Sequence, residues 1–120
     1  MNELEKQRIF VERTQRKYPR VWEGYLELIQ HELMSKDELA ELNFKKRKAI
    51  VRYAYDHTVF YRRLYDSIGF NPRDLKSEDD WNALPVVTKE MVRENFEEMI
   101  ADQGVRKYGV ISNTGGSTGV

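Results

Sequence analysis

The sequence predicts a predominantly α-helical chain with one short strand near its end that leads into a glycine-rich loop. Three observations carry this. Apolar residues recur three or four apart through most of the chain, the spacing of one face of a helix. Helix-start and helix-stop residues fall at the ends of those runs. The pattern then breaks after Ile100, and from Ser112 glycine, serine and threonine take over. This divides the 120 residues into a helical region, 1–107, and a strand-plus-loop segment, 108–120.

The elements follow in order. Glu3 to Arg16 suits a helix but carries few apolar positions (Leu4, Ile9, Phe10, Val11). Tyr18-Pro19 interrupts it, because proline lacks a backbone N–H and disfavours helix at the residue before it. Val21 to Leu33 sets Trp22, Tyr25, Leu26, Ile29 and Leu33 on one face. Ser35-Lys36-Asp37-Glu38 reads as a capping box, in which hydroxyl and carboxylate each satisfy a free N–H at a helix start. The helix that follows is expected to bury Leu39, Leu42, Ala49, Ile50, Tyr53 and Ala54. A shorter aromatic helix, Val59 to Ile68, ends at Gly69, a natural C-terminal cap. Asn71-Pro72 marks a turn. Ser77 starts a short helix that turns Trp81 and Leu84 inward, and Leu84-Pro85 stops it. Thr88 caps a last helix over Lys89 to Ile100, with Met91, Val92, Phe96, Met99 and Ile100 on its inner face. Tyr108-Gly109-Val110-Ile111 is the strand-like run.

Composition narrows the function classes. Charged residues make up 33% and hydrophobic residues 40%, so a thin core is expected beneath heavily charged faces. Twenty basic residues balance twenty acidic ones, whereas nucleic-acid binders carry a basic excess that neutralises phosphate. Cysteine is absent and there are two histidines, His31 and His57, so disulfides and thiolate metal sites are excluded and no metal site is expected. No apolar run has the length of a membrane span, and the charged start is unlike a signal peptide. The expected location is cytoplasmic. Charge is nonetheless uneven. Residues 41–65 hold seven basic and two acidic side chains, and residues 71–102 hold four basic and nine acidic. This reads as two solvated surfaces that can face each other. Lys45-Lys46-Arg47-Lys48 is the one basic cluster to weigh as a nucleic-acid patch, but it lies within a helix beside core positions.

The segment that carries chemistry is Ser112 to Gly119. Gly115, Gly116 and Gly119 let backbone N–H groups approach an anion, and the hydroxyls of Thr114, Ser117 and Thr118 add donors, which together can cradle phosphates. No Gly-Lys-Ser/Thr is present, so this is not the P-loop of the common nucleotide triphosphatases. The competing reading is a disordered Gly/Ser tail. Upstream, Tyr53, Phe60, Tyr61 and Tyr65 read as core, Trp22 and Trp81 as packing anchors, Lys89 as solvated, and His57 as a capping or packing residue at a helix end.

Thr114-Gly115-Gly116-Ser117-Thr118-Gly119 resembles the phosphate loop of the adenylate-forming superfamily. Tyr53-Ala54-Tyr55-Asp56-His57, Phe60-Tyr61-Arg62-Arg63-Leu64-Tyr65, Leu84-Pro85-Val86-Val87-Thr88-Lys89-Glu90 and Arg93-Glu94-Asn95-Phe96 are similar to segments of the phenylacetate–CoA ligases and the related CapK-like capsule-biosynthesis proteins. The resemblance runs from about Leu39 to Val120. It implies the helical N-terminal portion of an α/β ligase that joins a small-molecule carboxylate to AMP from ATP, with Mg2+, and passes the acyl group to coenzyme A. Thr114, Gly115, Gly116, Ser117, Thr118 and Gly119 would contact the ATP phosphates. The catalytic residues and the acid pocket of such ligases lie beyond the loop. The expectation is therefore an enzyme in the parent protein and an incomplete, inactive chain here. With its helix faces and strand end uncovered, such a piece is expected to self-associate. The alternative is a helical protein-interaction module whose Gly/Ser tail is disordered.

Overall fold

The computed structural model describes residues 1–102, 107 and 109–114. Six α-helices are described: α1 (Glu3–Lys17), α2 (Pro19–Glu32), α3 (Lys36–His57), α4 (Val59–Ser67), α5 (Glu78–Asn82) and α6 (Lys89–Glu94). Two 3-10 turns, Pro72–Asp74 and Glu97–Met99, fall between and after them. Among the described residues there is no strand. The expected strand-like run begins at residue 108, outside the described residues, and Gly109 to Ile111 are exposed. The chain divides into two compact units, Met1–Phe44 and Lys45–Val120.

In the first unit, α1 and α2 pair as a helical hairpin. Asn2 caps α1 by accepting from the Glu5 N–H, while the Glu5 carboxylate accepts from the Asn2 N–H. Tyr18 leaves helical geometry at φ −133° and ψ 64°, and Pro19 becomes the first residue of α2. That position suits proline, since the N–H it lacks would have no partner there. The helix thus begins two residues before the Val21 expected from periodicity. Ser35 and Glu38 form the expected capping box at the start of α3, at 3.1 and 3.0 Å. Neither α1 nor α2 contains a fully buried residue.

The second unit holds the core: Val51, Phe60, Tyr65 and Leu75, with Leu75 completely covered. Thr58 breaks the path from α3 to α4. Its hydroxyl donates to the Ala54 carbonyl and accepts from the Tyr61 N–H, closing one helix and opening the next. α4 ends as expected. Gly69 takes φ +69°, and the Phe70 N–H donates to the Tyr65 carbonyl at 2.9 Å. Phe60, Tyr61, Tyr65 and Phe70 then form a chain of ring contacts with centroids 5.1 to 5.7 Å apart. Asn71 caps the Pro72–Asp74 turn, and Ser77 caps α5 in a box with Asp80.

Two expectations are corrected here. The buried side of α3 is not the expected stripe: Leu39, Ala49, Ile50 and Tyr53 are exposed, while Val51 is 4% exposed. Phe44, Arg47, Ala54 and Tyr55 are half-buried around it. Arg47 is the reason. Its guanidinium sits over the Trp81 ring at 5.0 Å and its two terminal nitrogens pair with Glu78. A charged residue therefore marks the inner face, and apolar periodicity reads that face as outer. The last helix is also shorter than Lys89 to Ile100. It stops at Glu94, because Asn95 turns its amide nitrogen back onto the Met91 carbonyl at 2.8 Å. The chain then tightens into the Glu97–Met99 turn and leaves extended at Ile100.

Candidate functional site

Of the expected phosphate loop, Thr114 is described and exposed; Gly115, Gly116, Ser117, Thr118 and Gly119 lie outside the described residues. What the second unit does show is the approach to that loop. Gly109 to Asn113 run beside the end of the last turn, and with Phe96, Glu97 and Ile100 they enclose an open groove of about 460 Å³.

Three polar links tie α3 and α4 to the segments that precede the loop. At the C-terminal end of α3, His57 Nδ1 lies 2.8 Å from Asp102 Oδ1, and the Asp102 N–H donates to the His57 carbonyl at 3.0 Å. From α4, Arg63 reaches the Glu98 carboxylate and donates to Asn95 Oδ1 at 3.1 Å, gripping the bend after α6. Lower down, Arg47 holds Glu78 at the start of α5. In each case a group from the basic stretch meets an acidic one from residues 71–102, so the two oppositely charged surfaces do face each other. Sequence reasoning missed Asp102 as a partner for His57. The signal available was the opposite charge of the two stretches, which says that pairs form but not which.

These pairs set the electrostatics. The Arg47 and Arg63 guanidiniums hold the Glu78 and Glu98 carboxyls below the usual glutamate range through direct hydrogen bonds. Asp80 is lowered by the N–H groups of Lys76 and Ser77, which it caps. The Tyr55 hydroxyl donates to Asp66 at 2.6 Å, and that hydrogen bond raises its pKa. Burial raises Tyr65.

A histidine held by a carboxylate is also how a general base is oriented. Here the same two residues share a backbone hydrogen bond, and Tyr53 lies against the imidazole with ring centroids 4.5 Å apart. The arrangement ties two segments together, matching the packing role expected of His57. Among the described residues no group of three or more His, Cys, Asp or Glu side chains could hold a metal ion. The donor chemistry of Thr114 and the hydroxyls and glycines that follow it suits a phosphate anion.

A stretch of 65 residues, 54% of the chain, is 38% identical to the phenylacetate–coenzyme A ligase of Aromatoleum evansii. The chain is similar to phenylacetate–coenzyme A ligases. The ligase of Escherichia coli K12 is 34% identical, and that of Thermus thermophilus 29% identical, each over 65 residues. The matched stretch amounts to 15% of the length of each of these ligases. No protein-family model matches the chain, and no solved structure matches it. Likeness to phenylacetate–coenzyme A ligases is what the ordered sequence blocks implied. No described helix is long and apolar enough to cross a membrane.

Proposed function

We propose that the chain is the N-terminal section of an ATP-dependent, AMP-forming carboxylate–coenzyme A ligase, and that Thr114, Gly115, Gly116, Ser117, Thr118 and Gly119 hold the ATP phosphates. The observation that carries this is the 38% identity over 65 residues to a phenylacetate–coenzyme A ligase. The hydroxyl- and glycine-rich run that follows the helical layer supports it. In this reading the loop acts by position and charge. Its N–H and O–H donors steady the outer phosphates while a carboxylate attacks the α-phosphate and pyrophosphate leaves. Mg2+ accompanies ATP, and coenzyme A accepts the acyl group. His57–Asp102 and Arg63–Glu98 fix the chain ahead of the loop, so that ordering it costs less on binding.

These residues do not select the acid, so aryl acids and sugar acids are both offered as candidates. In this reading the catalytic groups and the acid pocket are supplied by parts of such a ligase outside the matched stretch. The test is acid-dependent ATP–pyrophosphate exchange by the full polypeptide that contains this chain, offered aryl and sugar acids in turn. Ser117→Ala and Thr118→Ala each lower kcat/KM for ATP roughly tenfold to a hundredfold, since a hydrogen bond to a charged oxygen is worth about 1.5–3 kcal/mol. Wild-type rates in both variants would remove the loop from the ATP site.

A further inference from the structure

The α1–α2 hairpin leaves its apolar stripe uncovered. Phe10, Val21 and Tyr25 line an open groove between the two helices and are 68%, 62% and 52% exposed. Leu26 and Ile29 continue the stripe along α2 and are 43% and 39% exposed, and Leu33, just past its end, is 85% exposed. With full side chains of this size presenting on the order of 150–200 Å² each, roughly 600 Å² of apolar surface stays in water. That is the upper end of what a monomer displays. Two such stripes face to face would bury about 1,200 Å², the lower bound of a stable specific interface.

The hairpin is also complementary in charge to a second copy of itself. α1 carries five basic and three acidic residues; α2 carries one basic and three acidic. An isologous pairing that crosses each α1 over the other copy's α2 therefore sets a positive helix on a negative one twice. The opposite arrangement, α1 on α1, is repulsive. We infer that the α1–α2 hairpin is a self-association surface, through which two copies of this chain pair as a four-helix layer with α1 over the partner's α2. The inference stands on the hairpin alone and is independent of the ligase reading.

Analytical ultracentrifugation of the 120-residue protein tests it. The expected mass is twice 14.3 kDa, falling to that of one chain in the Leu26→Lys/Ile29→Lys double variant with its helical circular dichroism retained. Charge variants give an independent arm. Arg13→Glu/Lys17→Glu abolishes pairing by itself, and mixing it with Glu23→Lys/Glu27→Lys restores the doubled mass. A wild-type monomer at every concentration would overturn the inference. So would a dimer that survives Leu26→Lys/Ile29→Lys, or charge variants that fail to recover on mixing.

Discussion

Single side chains in the second unit work mainly as ties between distant parts of the sequence, and their ionisation makes the unit sensitive to pH at both ends. Glu78 and Glu98 are lowered by Arg47 and Arg63, and Asp80 by the N–H groups it caps. A carboxyl lowered in the folded state adds stability above its unfolded pKa and loses it as pH falls through the folded value. Tyr55 and Tyr65 are raised, so their contribution is complete below the ordinary tyrosine pKa and disappears as pH climbs through the folded value. Thermal melts should therefore show a plateau at neutral pH, a decline below the ordinary glutamate range and a second decline above pH about 10. Glu78→Gln removes part of the acid decline; an unchanged acid limb in that variant would mean the Arg47–Glu78 pair contributes nothing. Which residues make these ties was only partly legible. The opposite charges of residues 41–65 and 71–102 predicted facing surfaces. The identities of the pairs depend on side-chain reach across the fold, which periodicity does not encode.

At the scale of elements, caps were the most legible feature. Ser35, Ser77, Thr88 and Gly69 each stop or start a helix where local chemistry said they would. A cap is a contact within three or four residues, so the sequence contains all of it. Burial was less legible. The α3 stripe was assigned to Leu39, Leu42, Ala49, Ile50, Tyr53 and Ala54; Leu42 and Ala54 are half-buried, but the other four are exposed and the inner face runs through Arg47 and Val51. The last helix was drawn through Asn95, whose side chain ends it by bonding back to Met91. These features predict graded costs. Leu75→Ala in the fully covered position loses about 2–5 kcal/mol. Gly69→Ala, forced to hold φ +69°, loses about 1–2 kcal/mol. Ser77→Ala, at the exposed end of α5, loses about 1 kcal/mol. Urea unfolding followed by circular dichroism should rank them in that order, and a Gly69→Ala loss above that of Leu75→Ala would mean the core is not where the burial places it.

For the whole molecule, the candidate site was legible as chemistry rather than as geometry. The run from Thr114 to Gly119 has residue types suited to an anion, and in the function proposed above that anion is the phosphate of ATP. The geometry was not legible because a phosphate cradle is completed by backbone from several parts of a fold. The matched stretch is 15% of the relatives' length. Energetics agree with this division. Three or four hydrogen bonds to phosphate contribute roughly 1.5–3 kcal/mol each. Loss of translational and rotational freedom costs about 4–15 kcal/mol, before any ordering of the loop. The 120 residues alone should thus bind ATP with Kd no tighter than about 1 mM, equivalent to about −4 kcal/mol, and calorimetric titration checks this.

Acid-dependent ATP–pyrophosphate exchange by the full polypeptide, wild type beside the Ser117→Ala/Thr118→Ala variant, bears most directly on the ligase assignment. The account predicts exchange in the wild type and a kcat/KM for ATP that drops by two orders of magnitude or more in the variant, at about 1.4 kcal/mol per tenfold. Equal exchange in both, or ATP held at micromolar Kd by the 120 residues alone, would contradict it.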